Sequence, residues 1–374
     1  MKEIAEKWER FLGFTLNINP VLNLLGVIGL SISRRNRFKK ITEDRLNLYL
    51  WGGLAISGLI SVITAYNPLL ALPSYFIPFV FIWLYILGRW YIDNPLRFFK
   101  DMIRGTALLG LLTILFYFLR VELVISGVRL IGRFSPTDHR GYILGMGDNG
   151  LAMLLQAGVV ACPGIMFIVK DNREKIKYLL YFLLSMGGLI ISNSRGAMVG
   201  VFVGIIILGL FISWKIIVIS GSLGGLAVAF IPQLLRRVKS IFGFAEMNRV
   251  NIYKGILRMI ADHPWFGIGP GNFNLVYPSY RLTAEYEHVL SPHSNYLAIF
   301  SGWGIIGGAL FYGWLFFVMI RGWFSEGNKY KKIIVAVLVS FWVHVLINDL
   351  FAAYTAILLG CLDNSNFNRE PKGV

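Results

Sequence analysis

Apolar runs of close to twenty residues, with no Asp, Glu, Lys or Arg inside them, recur along almost the whole of this 374-residue chain. A run of that length matches the ~30 Å hydrocarbon core of a bilayer at ~1.5 Å per helical residue. Nothing else in the sequence limits the fold so strongly. The runs are Phe11–Ser33, Leu46–Tyr66, Leu69–Gly88, Gly105–Leu119, Leu151–Val169, Tyr178–Ile191, Gly196–Ser213, Ile216–Ile231, Asn295–Ile320, Ile333–Ile347 and Phe351–Leu362. They predict an all-α, polytopic bundle of about eleven transmembrane helices, or about twelve if the first run is a short hairpin around Asn19-Pro20. The whole chain, 1–374, reads as a single integral membrane domain. Charged residues make up 15% of it, against roughly 25% in soluble domains, so neither a soluble enzyme nor a disordered chain fits. Cys162 and Cys361 both fall inside apolar runs, which makes them small packing residues rather than a bridge.

The formal charge of +16 invites a nucleic-acid reading. Its distribution excludes one. The connectors Arg34–Arg45, Arg89–Arg104, Lys170–Lys177, Lys215, Arg321–Lys332 and the tail from Asp363 hold twenty-one basic and nine acidic residues, a net +12. These are alternate connectors, so three-quarters of the charge obeys the positive-inside rule and places them in the cytoplasm. The opposite side then carries the two long connections, Val121–Asn149 and Pro232–Pro292. The second is the one sizeable extramembrane region, and a natural place for chemistry on a lipid-linked substrate. Gln156 and His344 stand out as polar residues well inside the runs, none of which holds an Asp, Glu, Lys or Arg. Ion-coupled transporters usually keep ionisable groups at that depth, and no internal repeat of the transporter kind is visible.

Three segments on the outer side could carry chemistry. Glu246–Pro264 is an amphipathic helix: Ile252, Tyr253, Ile256, Leu257, Met259 and Ile260 share a face at 100° per residue, and Asn251, Lys254, Arg258 and Asp262 lie opposite. Arg249 falls on the apolar side. It either snorkels outward or meets an anion, for which a guanidinium is suited by its bidentate fork. Ser192-Asn193-Ser194-Arg195-Gly196 is a polar break between two runs, either a head-group anchor or a second anion contact. Ser291-Pro292-His293-Ser294-Asn295 stands at a predicted helix start, where His293 is a cap or a neutral general base. Gly267-Ile268-Gly269-Pro270-Gly271 is a tight loop leading back to the membrane, and Gly304 and Gly308 are spaced to admit another helix closely. Glu285, Glu287 and His288 cluster in the long loop without the spacing of a metal site, and read as a solvated face.

Together these residues resemble a known family. His293-Ser294, followed after nine residues by Gly304-Ile305-Ile306-Gly307, is similar to the signature of O-antigen ligases. Ser194-Arg195-Gly196-Ala197 resembles the family's Ser-Arg-Gly step at the outer end of a span. Asn248-Arg249 running into Asp262-His263-Pro264-Trp265-Phe266-Gly267-Ile268-Gly269-Pro270-Gly271-Asn272-Phe273 resembles its extracytoplasmic loop. The resemblance extends from about Arg140 to Leu362 in order and register, while the front third matches in hydropathy alone. It implies an inner-membrane glycosyltransferase, acting from the periplasmic face without a metal or other cofactor. The donor would be a glycan on undecaprenyl pyrophosphate and the acceptor a lipid A-core sugar, with the loop 232–292 carrying part of the active site amid membrane lipids. Carried over, Arg195 and Arg249 would hold the donor pyrophosphate, with Arg140 of His139-Arg140-Gly141 as a weaker third. His293 would deprotonate or orient the acceptor hydroxyl. A polymerase using a growing glycan as acceptor, a protein O-oligosaccharyltransferase, and a lipid or polysaccharide transporter are the alternatives left open by the sequence.

Overall fold

Lipid offers a backbone no hydrogen-bond partners, so an apolar run must close its own bonds, and helix is the way a single segment does so. The computed structural model of the chain describes residues 2–18, 20–125, 128–132, 142–143, 146–230, 244–282, 289, 291–324 and 328–368. It is a polytopic helical bundle. Among the described residues, six helices are long and apolar enough to cross a membrane: Arg45–Ile63, Pro68–Tyr91, Pro95–Leu119, Asp148–Ile168, Asn172–Ser192 and Asn295–Trp323.

In chain order the helices are α1 (Lys2–Thr15), α2 (Pro20–Ser33), the single turn α3 (Lys39–Thr42), α4 (Arg45–Ile63), α5 (Pro68–Tyr75) and α6 (Ile77–Ile86). Then follow α7 (Pro95–Leu119), α8 (Asp148–Ile168), α9 (Asn172–Ser192), α10 (Arg195–Phe211), α11 (Lys215–Phe230), α12 (Phe244–Asp262) and the turn α13 (Phe273–Val276). The chain closes with α14 (Asn295–Trp323), α15 (Lys329–His344) and α16 (Ala353–Leu362). Pro78 separates α5 from α6, because its ring has no N–H to return to the preceding turn. The core is built by α7, α8 and α9 against one another and by α10 and α15 against α8. Small residues bring these helices close. Gly196, Gly200 and Gly204 repeat every four residues along α10, and a Cβ on Gly200 would stand 2.3 Å from the Ser340 carbonyl of α15. Cys162 and Cys361 are buried and unbridged, as their apolar surroundings predict.

The connectors that the charge pattern assigns to one side do meet at one end of the bundle. Arg89 pairs with Asp44 at 2.5 Å and with Asp363 at 2.6 Å, and Arg321 pairs with the same Asp363 carboxylate. Buried Glu9 accepts from Arg34 at 2.8 Å and from the backbone N–H groups of Asp93 and Asn94, each at 2.9 Å.

The first apolar run is a hairpin. Its arms, α1 and α2, have 14 residues each, about 21 Å of helix, and cannot span ~30 Å. Glu9 and Arg34 hold both arms to the basic end. The turn is fixed inside the bundle, where the Asn17 amide donates to the Thr106 hydroxyl at 2.8 Å and the Phe14 carbonyl abuts Gly105. This segment turns back toward the end of the bundle from which it came.

At the far end, within Val121–Asn149, three short strands form an antiparallel sheet in the order β1-β2-β3: β1 Leu123–Ile125, β2 Val128–Gly132, β3 Tyr142–Ile143. The long connection before α14 behaves differently again, because part of it goes into the membrane domain. At Gly304 (φ 69°, ψ −176°) α14 is interrupted in a backbone region open essentially to glycine alone. The loop after α12 fills the interruption. Ile305 N–H donates to the Pro264 carbonyl at 2.7 Å, while Ile268 and Gly269 N–H donate to Ser301 and Gly302 carbonyls at 2.9 and 3.1 Å. A Cβ on Gly304 would stand 2.2 Å from the Trp265 carbonyl. The close approach expected at Gly304 is therefore made by a loop rather than by a helix. At Gly308 the nearest atoms belong to the Phe300 ring of α14 itself.

Candidate functional site

Arg195 is the first residue of α10, and the turn before it explains how it is held. Asn193 closes α9 in the left-handed region (φ 59°), and Ser194 is the N-cap of α10, its hydroxyl accepting from Ala197 N–H. The same hydroxyl donates to Asn149 Oδ1 in the first turn of α8 at 2.8 Å and stands 3.4 Å from Nε2 of His344, the last residue of α15. His344 is buried and its Nδ1 lies 3.1 Å from Gln156 Oε1. Gln156 and His344, polar residues from the interior of two apolar runs, thus meet below the start of α10. Gly196 lets α10 come down on them: a Cβ there would lie 2.7 Å from His344 Cδ2 and 2.8 Å from Asn348 Nδ2. Arg195 itself is half-buried.

His293 also stands one residue ahead of an N-cap. Ser294 caps α14, accepting from Leu297 N–H, and His293 before it takes a positive φ of 51°. A left-handed, non-glycine residue costs on the order of 1–3 kcal/mol and persists where its surroundings enforce it. Here the enforcing contact is the Tyr253 hydroxyl of α12, which donates to the His293 carbonyl at 2.9 Å. Burial lowers the His293 pKa below the usual imidazole value; Asp349 works against the shift and Arg249 adds to it. A half-buried imidazole that is neutral at neutral pH results.

Arg249, half-buried in the first turns of α12, is thereby within electrostatic reach of His293. The apolar face expected of this helix is real in its main part. Ile252, Ile256 and Met259 are buried with Ile268, Val276 and Tyr277 in a satellite core, while Leu257 turns outward. The structure brings Arg249 and His293 together and sets Arg195 on a neighbouring helix start; Arg140, Glu285, Glu287 and His288 lie outside the described residues. No three His, Cys, Asp or Glu side chains gather as metal ligands among the described residues.

Sequence reasoning passed over Asp349 and Asn295. Asp349 is the one acidic residue between Lys332 and Asp363, in a connector too short to draw notice beside the long loop. Asn295 was legible only as the start of a run. Its N–H donates to the Val345 and Asn348 carbonyls, its amide to the Leu350 carbonyl at 3.1 Å, and its Oδ1 accepts from the Tyr312 hydroxyl at 2.5 Å.

Helices of this length and composition define a multi-pass membrane protein, and Arg195, Arg249 and His293 lie at helix starts within it. Residues 180–312 match the model of a family described as O-antigen ligase. The matched stretch contains Arg195, Arg249, His293 and the Gly304 break, and leaves out Asp349 and His344. No curated protein matches the chain. The match agrees with the resemblance read from the motifs, and with a glycosyltransferase of ligase or polymerase type.

Proposed function

We propose that this protein transfers a glycan from undecaprenyl pyrophosphate to an acceptor sugar, of the lipid A-core kind, at the periplasmic face of the bacterial inner membrane. The observation that carries this reading is the pairing of Arg249 with a neutral, half-buried His293 at the start of an apolar helix. Arg249 and Arg195, with Arg140 as a weaker third, would bind the pyrophosphate. The acceptor oxygen attacks the anomeric carbon, its proton passes to the His293 imidazole, and the breaking C–O bond leaves its electron pair on the pyrophosphate. Attack opposite the leaving group inverts the anomeric configuration. Fixed guanidinium charges stabilise the departing pyrophosphate, whose charge grows as the bond breaks. No metal is needed for this sequence of events. The isoprenoid tail stays in the bilayer, which is why the site lies beside it.

The test is transfer by the purified full-length protein in nanodiscs, supplied with the lipid-linked glycan and, in separate reactions, lipid A-core, free glycan chain or a serine-rich peptide. Core-dependent product supports the ligase reading. Product only with the glycan chain or only with the peptide overturns it in favour of a polymerase or a protein-directed enzyme. Within an active reaction His293→Ala should lower transfer ~10²-fold or more while donor binding persists. If His293→Gln transfers at close to the native rate, His293 orients the acceptor and takes no proton.

A further inference from the structure

Between α15 and α16 the chain leaves helical conformation over residues 345–352. Non-helical backbone at membrane depth persists only where protein satisfies it or water reaches it. Here three of its carbonyls accept from Asn295 at the start of α14, and a fourth lies beside the Tyr253 hydroxyl of α12. Those of Val345 and Asn348 each accept from the Asn295 N–H at 3.0 Å. The Leu350 carbonyl accepts from the Asn295 amide, and that of Leu346 lies 3.4 Å from the Tyr253 hydroxyl. Asn295 is 1% exposed and fixed in turn by Tyr312. On its other flank the same segment meets the start of α10, where Gly196 leaves no room for a Cβ against His344 and Asn348. The Asn348 amide also donates to the His344 carbonyl at 3.5 Å, which ties the segment to the end of α15.

We propose that residues 345–352 are a bridge that fixes the Arg195 helix start relative to the His293 helix start, with Gly196 and Asn295 as the positioning residues on its two flanks. The purpose of the bridge rests on the glycan-transfer reading; its existence does not. Asp349 rides on this segment, and among the described residues Asp349 and Arg249 of α12 are the charges that act on His293. Displacing the bridge from either flank should therefore change how His293 titrates, even from Gly196, whose close contacts are with His344, Ile347 and Asn348.

The experiment uses the full-length protein in nanodiscs and diethyl pyrocarbonate as the probe. The reagent modifies the neutral imidazole, so the pH midpoint of the His293 modification rate, read by peptide mass spectrometry, reports its pKa. Gly196→Ala and Tyr312→Phe should each draw Asp349 away and move the midpoint to lower pH, by about half a unit. Their shifts should fail to add in the double variant. Gly313→Ala, which meets open space on α14, should leave the midpoint alone. An unchanged or raised midpoint in both folded single variants overturns the bridge. If Gly196→Ala does not fold, Tyr312→Phe, which removes one hydroxyl and keeps the ring, decides alone. Because the readout needs no glycan, shifted midpoints in a protein without transferase activity would remove the functional reading and keep the bridge. Unshifted midpoints in an active protein would do the reverse.

Discussion

His293 is kept neutral by burial and by Arg249, and pulled the other way by Asp349. A base must be unprotonated to act, so activity holds above its pKa and falls as pH drops through it; the lowered value places the acid limb of transfer below the ordinary imidazole range. Arg249→Gln removes a lowering charge and should move that limb to higher pH. Asp349→Asn removes a raising charge and should move it to lower pH. The pH profile of kcat for each variant checks both signs. Arg249→Lys separates charge from shape at the same position. It should leave the limb where it is and cost the bidentate contact, ~1.5–3 kcal/mol or roughly ten- to a hundred-fold in rate. A fully active Lys variant would make Arg249 a head-group anchor.

At the scale of elements, the loop 264–271 and the break in α14 behave as one structure. Gly304→Ala forces a side chain into the backbone region found there and against the Trp265 carbonyl, 2.2 Å away. It should destabilise the protein by roughly 2–4 kcal/mol, read as a lower melting temperature in detergent, while Gly313→Ala on the same helix should be neutral or slightly stabilising. These elements mark how far the sequence could be read. Most membrane crossings were legible because hydropathy over twenty residues needs no tertiary partner. The placing of Arg249 on α12 and His293 beside a helix start was legible because caps and periodicity are local. The Gly304 break was not, since Gly-Ile-Ile-Gly inside an apolar run reads as continuous helix until the loop that fills it is seen. Asp349 was missed for the same reason: its relation to His293 exists only across 55 residues of intervening chain.

For the whole molecule, the charge alternation and the ion pairs around Asp363 give a sidedness that can be tested. Cysteines replacing Lys329 and Ser279 should be labelled by an impermeant maleimide from opposite sides of the membrane, with residue 279 periplasmic. Cysteines replacing Lys2 and Arg35, at the two ends of the α1–α2 hairpin, should label from the same side as residue 329. Labelling of 279 and 329 from one side would put the donor and the site on different faces. Labelling of 2 and 35 from opposite sides would turn the hairpin into a crossing. The sequence left the hairpin undecided because its depth is set by Thr106 and Gly105 of α7, ninety residues further along.

The loop seated in α14 bears on how the protein is made and on how it can be recombined. Pro264 and Ile268 complete the hydrogen bonding of Ile305 and Ser301, and Gly269 shares the Gly302 carbonyl with the Ser61 hydroxyl; a buried backbone group left without such a partner costs on the order of 1–3 kcal/mol. The final helix–loop pairing therefore requires 264–269 to have folded back before α14 can reach its resting place. A chimera that exchanges α14 with that of a relative should assemble only if the stretch from Pro264 travels with it, so the smallest unit that can be grafted here is a loop and a helix together.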